Sequence, residues 1–141
     1  MMEIPASVVS SSVRRGDILL SEFANIDHHK YFVVMGVSDK GVCGFFFINS
    51  NIHKAIFNKQ DILAMQYQMK RSDYGFLRYD SFLCASSVQE KDLESISQGI
   101  LDGNVRVIDR MKDEHIKEVI EMVRASTCIS ERYKKLYFYN D

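Results

Sequence analysis

The sequence predicts a mainly β domain: a small, strongly curled sheet of about five to seven antiparallel strands, with one amphipathic helix near the C-terminus packed against it. Three observations carry this. The chain holds nine Phe and seven Tyr but no Trp, and aromatics pack well on a pleated surface. Two apolar runs rich in β-branched and aromatic residues, Tyr31–Val37 and Val42–Ile48, flank the turn Ser38-Asp39-Lys40-Gly41, which is the pattern of a hairpin. Only one stretch has clear helical spacing: Ile116, Val119, Ile120 and Val123 fall at i, i+3, i+4 and i+7, on one helical face.

In chain order, residues 1–13 are Ser-rich and read as a flexible arm. The domain opens at Arg14-Arg15-Gly16-Asp17, and Ile18–Phe23 reads as a strand. Ala24–Lys30 is polar and reads as a loop. Tyr31–Val37 is apolar throughout, which predicts a strand buried on both faces. Gly41 suits the positive φ that the following turn needs. Asn49-Ser50-Asn51 ends the hairpin, and Ile52–Gln60 reads as irregular. In Leu63–Lys70, Met65, Tyr67 and Met69 alternate with Gln66, Gln68 and Lys70. That period of two favours a strand, with a short helix at its start as the alternative. Arg71–Gly75 is a turn, Phe82–Ala85 a short strand, Lys91–Ile100 one or two helical turns, and Val105–Ile108 an edge strand. The helix over 113–125 has Asp113 and Glu114 in its first turn and Arg124 near its end, which suits the helix dipole at both ends. It should bury Ile116, Val119, Ile120 and Val123. Residues 14–126 form the predicted domain, and 127–141 an aromatic tail with no assigned role.

A chain of 141 residues fits one domain and buries enough surface to need no disulfide or metal staple. The formal net charge is -1, without the basic excess of a general nucleic-acid binder, so any RNA contact has to come from a local cleft. Cys43, Cys84 and Cys128 are far apart and form no CxxC pair; they read as buried thiols of a reducing cytoplasm. Adjacent residues on a strand point to opposite faces, which argues against a metal shared by His28 and His29. No metal and no cofactor are expected. No targeting segment or membrane span is expected either.

Five segments in order resemble the PemK/MazF toxin family. Arg15-Gly16-Asp17-Ile18-Leu19-Leu20 looks like its R-G-D/E-I-W-L start. His29-Lys30-Tyr31-Phe32-Val33-Val34 stands where it has x-R-P-x-V-V, and Phe46-Phe47-Ile48-Asn49-Ser50 where it has V-x-P-x-T. Tyr79–Val88 stands where it has a strand running into C-D-Q-x-R, and the final helix matches its closing E-x-x-x-x-V-x-x-x-L helix. The resemblance covers roughly residues 14 to 126. It implies an SH3-like barrel, a homodimer, metal-independent endoribonuclease activity on single-stranded RNA, and an antitoxin protein as partner. The chain departs from the family pattern in three places: Lys30-Tyr31 replaces Arg-Pro, Ser50 replaces Thr, and Cys84-Ala85-Ser86 replaces the Arg-x-Asp or Cys-Asp-Gln.

Metal-free RNA cleavage needs a base for the ribose 2′-hydroxyl, an acid for the leaving oxygen and a cation for the phosphorane. The predicted catalytic set is Lys30, Ser50, His53 and Asp80. Lys30 stands where the family keeps its Arg, Ser50 where it keeps its Thr, His53 trades protons near neutrality, and Asp80 orients a His. The predicted RNA contacts are Arg14, Arg15, His28, His29 and Arg78. The loss of the family's Arg and Asp supports an alternative, a non-catalytic barrel that binds a protein or nucleic acid. An unrelated SH3-like adaptor is a third reading.

Overall fold

The computed structural model describes residues 13–21, 30–52 and 54–139; the arm over residues 1–12, most of the loop over 24–30 and His53 lie outside the described residues. Among the described residues, seven strands form one antiparallel sheet: β1 (Asp17–Ser21), β2 (Lys30–Val37), β3 (Val42–Asn49), β4 (Gln66–Met69), β5 (Ser81–Cys84), β6 (Gln89–Asp92) and β7 (Val105–Arg110). Among the same described residues four α-helices accompany them: α1 (Gln60–Leu63), α2 (Leu93–Asp102), α3 (Asp113–Ala125) and α4 (Glu131–Tyr137). The strand order is β4-β5-β3-β2-β1-β7, with β6 also beside β3.

β3 carries two partners on one edge. Val42–Phe45 pair with β6, whereas Ile48 and Asn49 pair with β5. The sheet therefore diverges along β3 and curls, but it stays open, with β4 and β7 as its two ends. The mainly β class that the sequence predicts is the class observed.

Why β2 is apolar from Tyr31 onward is clear from its two faces. Phe32 and Val34 enter one core layer with Leu19, Phe45 and Ile96 of α2. Val33 and Met35 enter the other with Ile18, Phe46 and Val119 of α3. Each such side chain contributes roughly 1.5–3 kcal/mol when fully buried. The β2–β3 turn forms as predicted, with Gly41 at φ 76°, a region that costs glycine little.

Several elements differ from the sequence reading. In Leu63–Lys70 the strand alternative is the one observed, as β4; the short helix, α1, lies ahead of it and takes in only Leu63 of that stretch. Lys91 and Asp92 belong to β6, and the helical turns expected from 91 start at Leu93. On α3, Ile116, Val119 and Val123 are buried, but Ile120 is only half-buried, because its position lies at the margin of the stripe. Residues 131–137, within the tail left without a role, form a helix. Ser130 caps it, its Oγ accepting the Tyr133 amide at 3.2 Å. Tyr137 and Phe138 enter the larger core at 1% and 0% exposure, so this segment completes the fold. Buried Lys134 donates from Nζ to the carbonyls of Arg124 and Ser126, closing the carbonyl end of α3 as a basic residue does at a helix C-terminus.

Candidate functional site

A cleft of about 690 Å³ opens where the end of β3 meets β4, β5 and the loop before β5. Three sequence-predicted residues converge on it: Lys30 from the first position of β2, Ser50 just past β3, and Arg78 from the 70–80 loop. Chain topology explains the convergence. Antiparallel pairing of Tyr31 with Ile48 puts the start of β2 beside the end of β3. Pairing of Asn49 with Phe82 brings the start of β5 to the same place.

Three polar side chains of the cleft, Lys30, Asn49 and Gln66, have defined partners. Lys30 Nζ donates to Asn49 Oδ1 at 2.7 Å and lies 5.1 Å from the Phe47 ring centroid. An ammonium has three donors, so two remain. Ser50 and Arg78 are exposed. Gln66 Nε2 donates to the Ile62 carbonyl at 3.3 Å and toward Cys84 Sγ at 3.6 Å. The apolar wall includes Tyr31 and Phe76, whose ring centroids are 5.0 Å apart. Among the described residues, no carboxylate and no imidazole lines the cleft. Its side-chain charge comes from Lys30 and Arg78, which supplies the local positive site that a chain of net charge -1 requires for an anionic ligand.

The other predicted residues lie elsewhere. The Asp80 carboxylate accepts the Arg71 amide at 2.8 Å and closes the loop that carries Arg78; it does not line the cleft. Arg15 is turned inward. Its Nε donates to the Met35 carbonyl at 2.6 Å and its Nη2 to the Tyr137 carbonyl at 2.7 Å, so the guanidinium ties α4 to the sheet. Met35 is five residues along β2 from Lys30, about 16 Å at ~3.3 Å per residue. Arg14 is exposed at that same far end, its amide donating to Asp17 Oδ2 at 2.8 Å. His28, His29 and His53 lie outside the described residues.

The 70–80 loop is held on the side away from the cleft. Tyr74 is buried, its hydroxyl oxygen accepts the Lys112 amide at 3.1 Å, and the same hydroxyl shares a hydrogen bond with His115 Nδ1 at 2.7 Å. Burial raises the Tyr74 pKa, against the opposing pull of the Lys112 amide, so the phenol keeps its proton. Lys112 Nζ also pairs with Asp73 at 3.2 Å. Nearby, Tyr67 donates to Glu118. These bonds give the loop one position relative to α3, and with it the cleft wall.

Sequence reasoning missed Asn49, Gln66 and Tyr79 as cleft residues. Asn49 carried a signal, since a polar residue directly after an apolar strand marks the strand's exit. Gln66 and Tyr79 carried none that separates them from any strand-face or turn residue. No protein-family model matches the chain, and no curated protein sequence matches it.

Proposed function

We propose that this cleft binds single-stranded RNA. The convergence of Lys30, Ser50 and Arg78 on one depression, with no opposing carboxylate among the described lining residues, carries the reading. Two cations beside a hydroxyl suit a phosphate, because phosphate contacts position nucleic acid through charge and hydrogen bonds. The aromatic wall and side-chain amides suit unpaired bases, which proteins stack on and read at their edges.

A second reading adds cleavage, as expected of a PemK/MazF-like toxin that works as a homodimer under an antitoxin's control. Two observations favour it. Lys30, which the resemblance sets against the family's Arg, lines the cleft, and His53 follows Ser50 by three positions in the sequence. Binding is the primary reading because no general base stands among the described lining residues.

The test is fluorescence anisotropy with a labelled mixed-sequence RNA over a salt series. Lys30→Ala and Arg78→Ala should each weaken binding and lower the salt slope by about one. Absence of binding by the wild type counts against the reading. The same RNA, incubated with chelator and run on a gel, decides cleavage: intact RNA leaves binding alone. Light scattering at micromolar concentration should give about twice the chain mass of 16.3 kDa for the homodimer.

A further inference from the structure

We infer that Tyr79 is a stacking platform for one unpaired nucleobase at the rim of this cleft; the inference rests on the RNA reading above. Tyr79 lines the cleft next to Arg78 and is 65% exposed, the most open large apolar side chain among the described residues. Neighbouring rings are paired: Tyr31 with Phe76, and Phe76 with Tyr74. Tyr79 has no ring partner among the described residues. A stacking surface must be exposed and unfilled, and base–aromatic stacking tolerates any base because every base has a π-face.

The ring is also presented by fixed backbone. Ser81, itself 4% exposed, donates from Oγ to the Tyr79 carbonyl at 2.9 Å. Asp80 takes the Arg71 amide on the adjoining residue. Leu77 and Tyr74 anchor the loop in the core at 5% and 1% exposure. Backbone held this way loses little freedom on binding, which is where preorganised sites gain affinity.

Two side-chain amides inside the cleft have orientations set by their partners. The Asn49 carbonyl accepts from Lys30, which leaves its NH₂ as a donor. The Gln66 NH₂ is directed to Ile62 and Cys84, which leaves its carbonyl as an acceptor. A base edge offering both an acceptor and a donor complements this pair, as the Watson–Crick edge of an unpaired base does. Stacking on an exposed ring takes an unstacked base, so the ligand proposed is single-stranded, with a base on Tyr79 and its phosphate near Lys30 and Arg78.

The experiment compares wild type, Tyr79→Ala and Tyr79→Phe by anisotropy with a labelled single-stranded RNA, with the same strand carrying abasic sites, and with inorganic polyphosphate as competitor. Tyr79→Ala should bind RNA about 5- to 150-fold more weakly while keeping the wild-type salt slope, and Tyr79→Phe should bind as wild type. The abasic strand should bind wild type and Tyr79→Ala equally weakly. If wild type binds RNA and Tyr79→Ala binds it equally well, the stacking assignment is overturned and the RNA reading stands. If polyphosphate displaces RNA equally well from wild type and Tyr79→Ala, recognition is of phosphate alone and the assignment is likewise overturned. If wild type binds no RNA, the RNA reading falls first and takes this inference with it.

Discussion

Gly36 and Gly44 face each other across β2 and β3, and both leave room for one residue, Tyr137. A Cβ on Gly44 would lie 2.6 Å from Tyr137 Cγ, and one on Gly36 would lie 2.8 Å from the Tyr137 carbonyl oxygen. Neither obstacle is the free end of a flexible side chain. Gly44→Ala should therefore destabilise the protein by about 1–3 kcal/mol, as overpacking does, seen as a lower urea midpoint with an unchanged m-value; an unaltered midpoint would show that α4 gives way without cost. Both glycines were visible inside their apolar runs, but the partner that requires them lies near the other end of the sequence. The cleft was partly legible for a similar reason. Lys30 and Ser50 stood out through motif order, and Arg78 as a cation beside one of the motifs. Tyr79 did not stand out, because exposure and the absence of a ring partner are properties of the folded surface. Asp80 and Arg15 show the converse, since their charged side chains serve backbone groups that a one-dimensional reading does not bring near them.

At the scale of elements, α3 was the most legible because its stripe follows the helical period closely. The stripe has a margin, however. Ile116 is 7% exposed whereas Ile120 is half-buried. Ile116→Ala should cost about 2–5 kcal/mol, as truncation of a buried Ile does, and Ile120→Ala distinctly less; thermal or urea unfolding of the two variants checks the order, and equal losses would contradict the burial seen here. β6 was illegible because Gln89-Glu90-Lys91-Asp92 has no apolar alternation. It is a strand because β3 offers it a free edge, and three of its four residues remain exposed. α4 escaped because a single turn's worth of apolar residues in a charged tail carries little periodic signal. Its buried positions, Lys134 and Tyr137, include a cation whose charge is met by the carbonyls that end α3.

Across the whole molecule, buried acidic protons set the response to alkali. Burial pushes the Cys43 thiol from 9.0 up to about 12. Burial also raises Tyr137 and Tyr67, with hydrogen bonds to Glu90 and Glu118 adding to the effect. The folded state thus holds these protons to higher pH than the unfolded chain does. Above pH 9 the unfolded chain binds fewer protons, so stability falls as pH rises toward 12. Urea midpoints should be flat near neutrality and decline above about pH 9, and Cys43→Ala should make the early part of that decline shallower; a midpoint still flat at about pH 11 would refute this account. The bond from Arg15 to the Tyr137 carbonyl joins residues 122 positions apart, and it bears on how the protein is made. A ribosome delivers β1, β2 and β3 long before it delivers α4, so the slot between the two glycines stays open for most of synthesis. The nascent chain reaches its final packing only once the segment through Phe138 has emerged, and until then the part of the sheet that Tyr137 and Phe138 cover stays open.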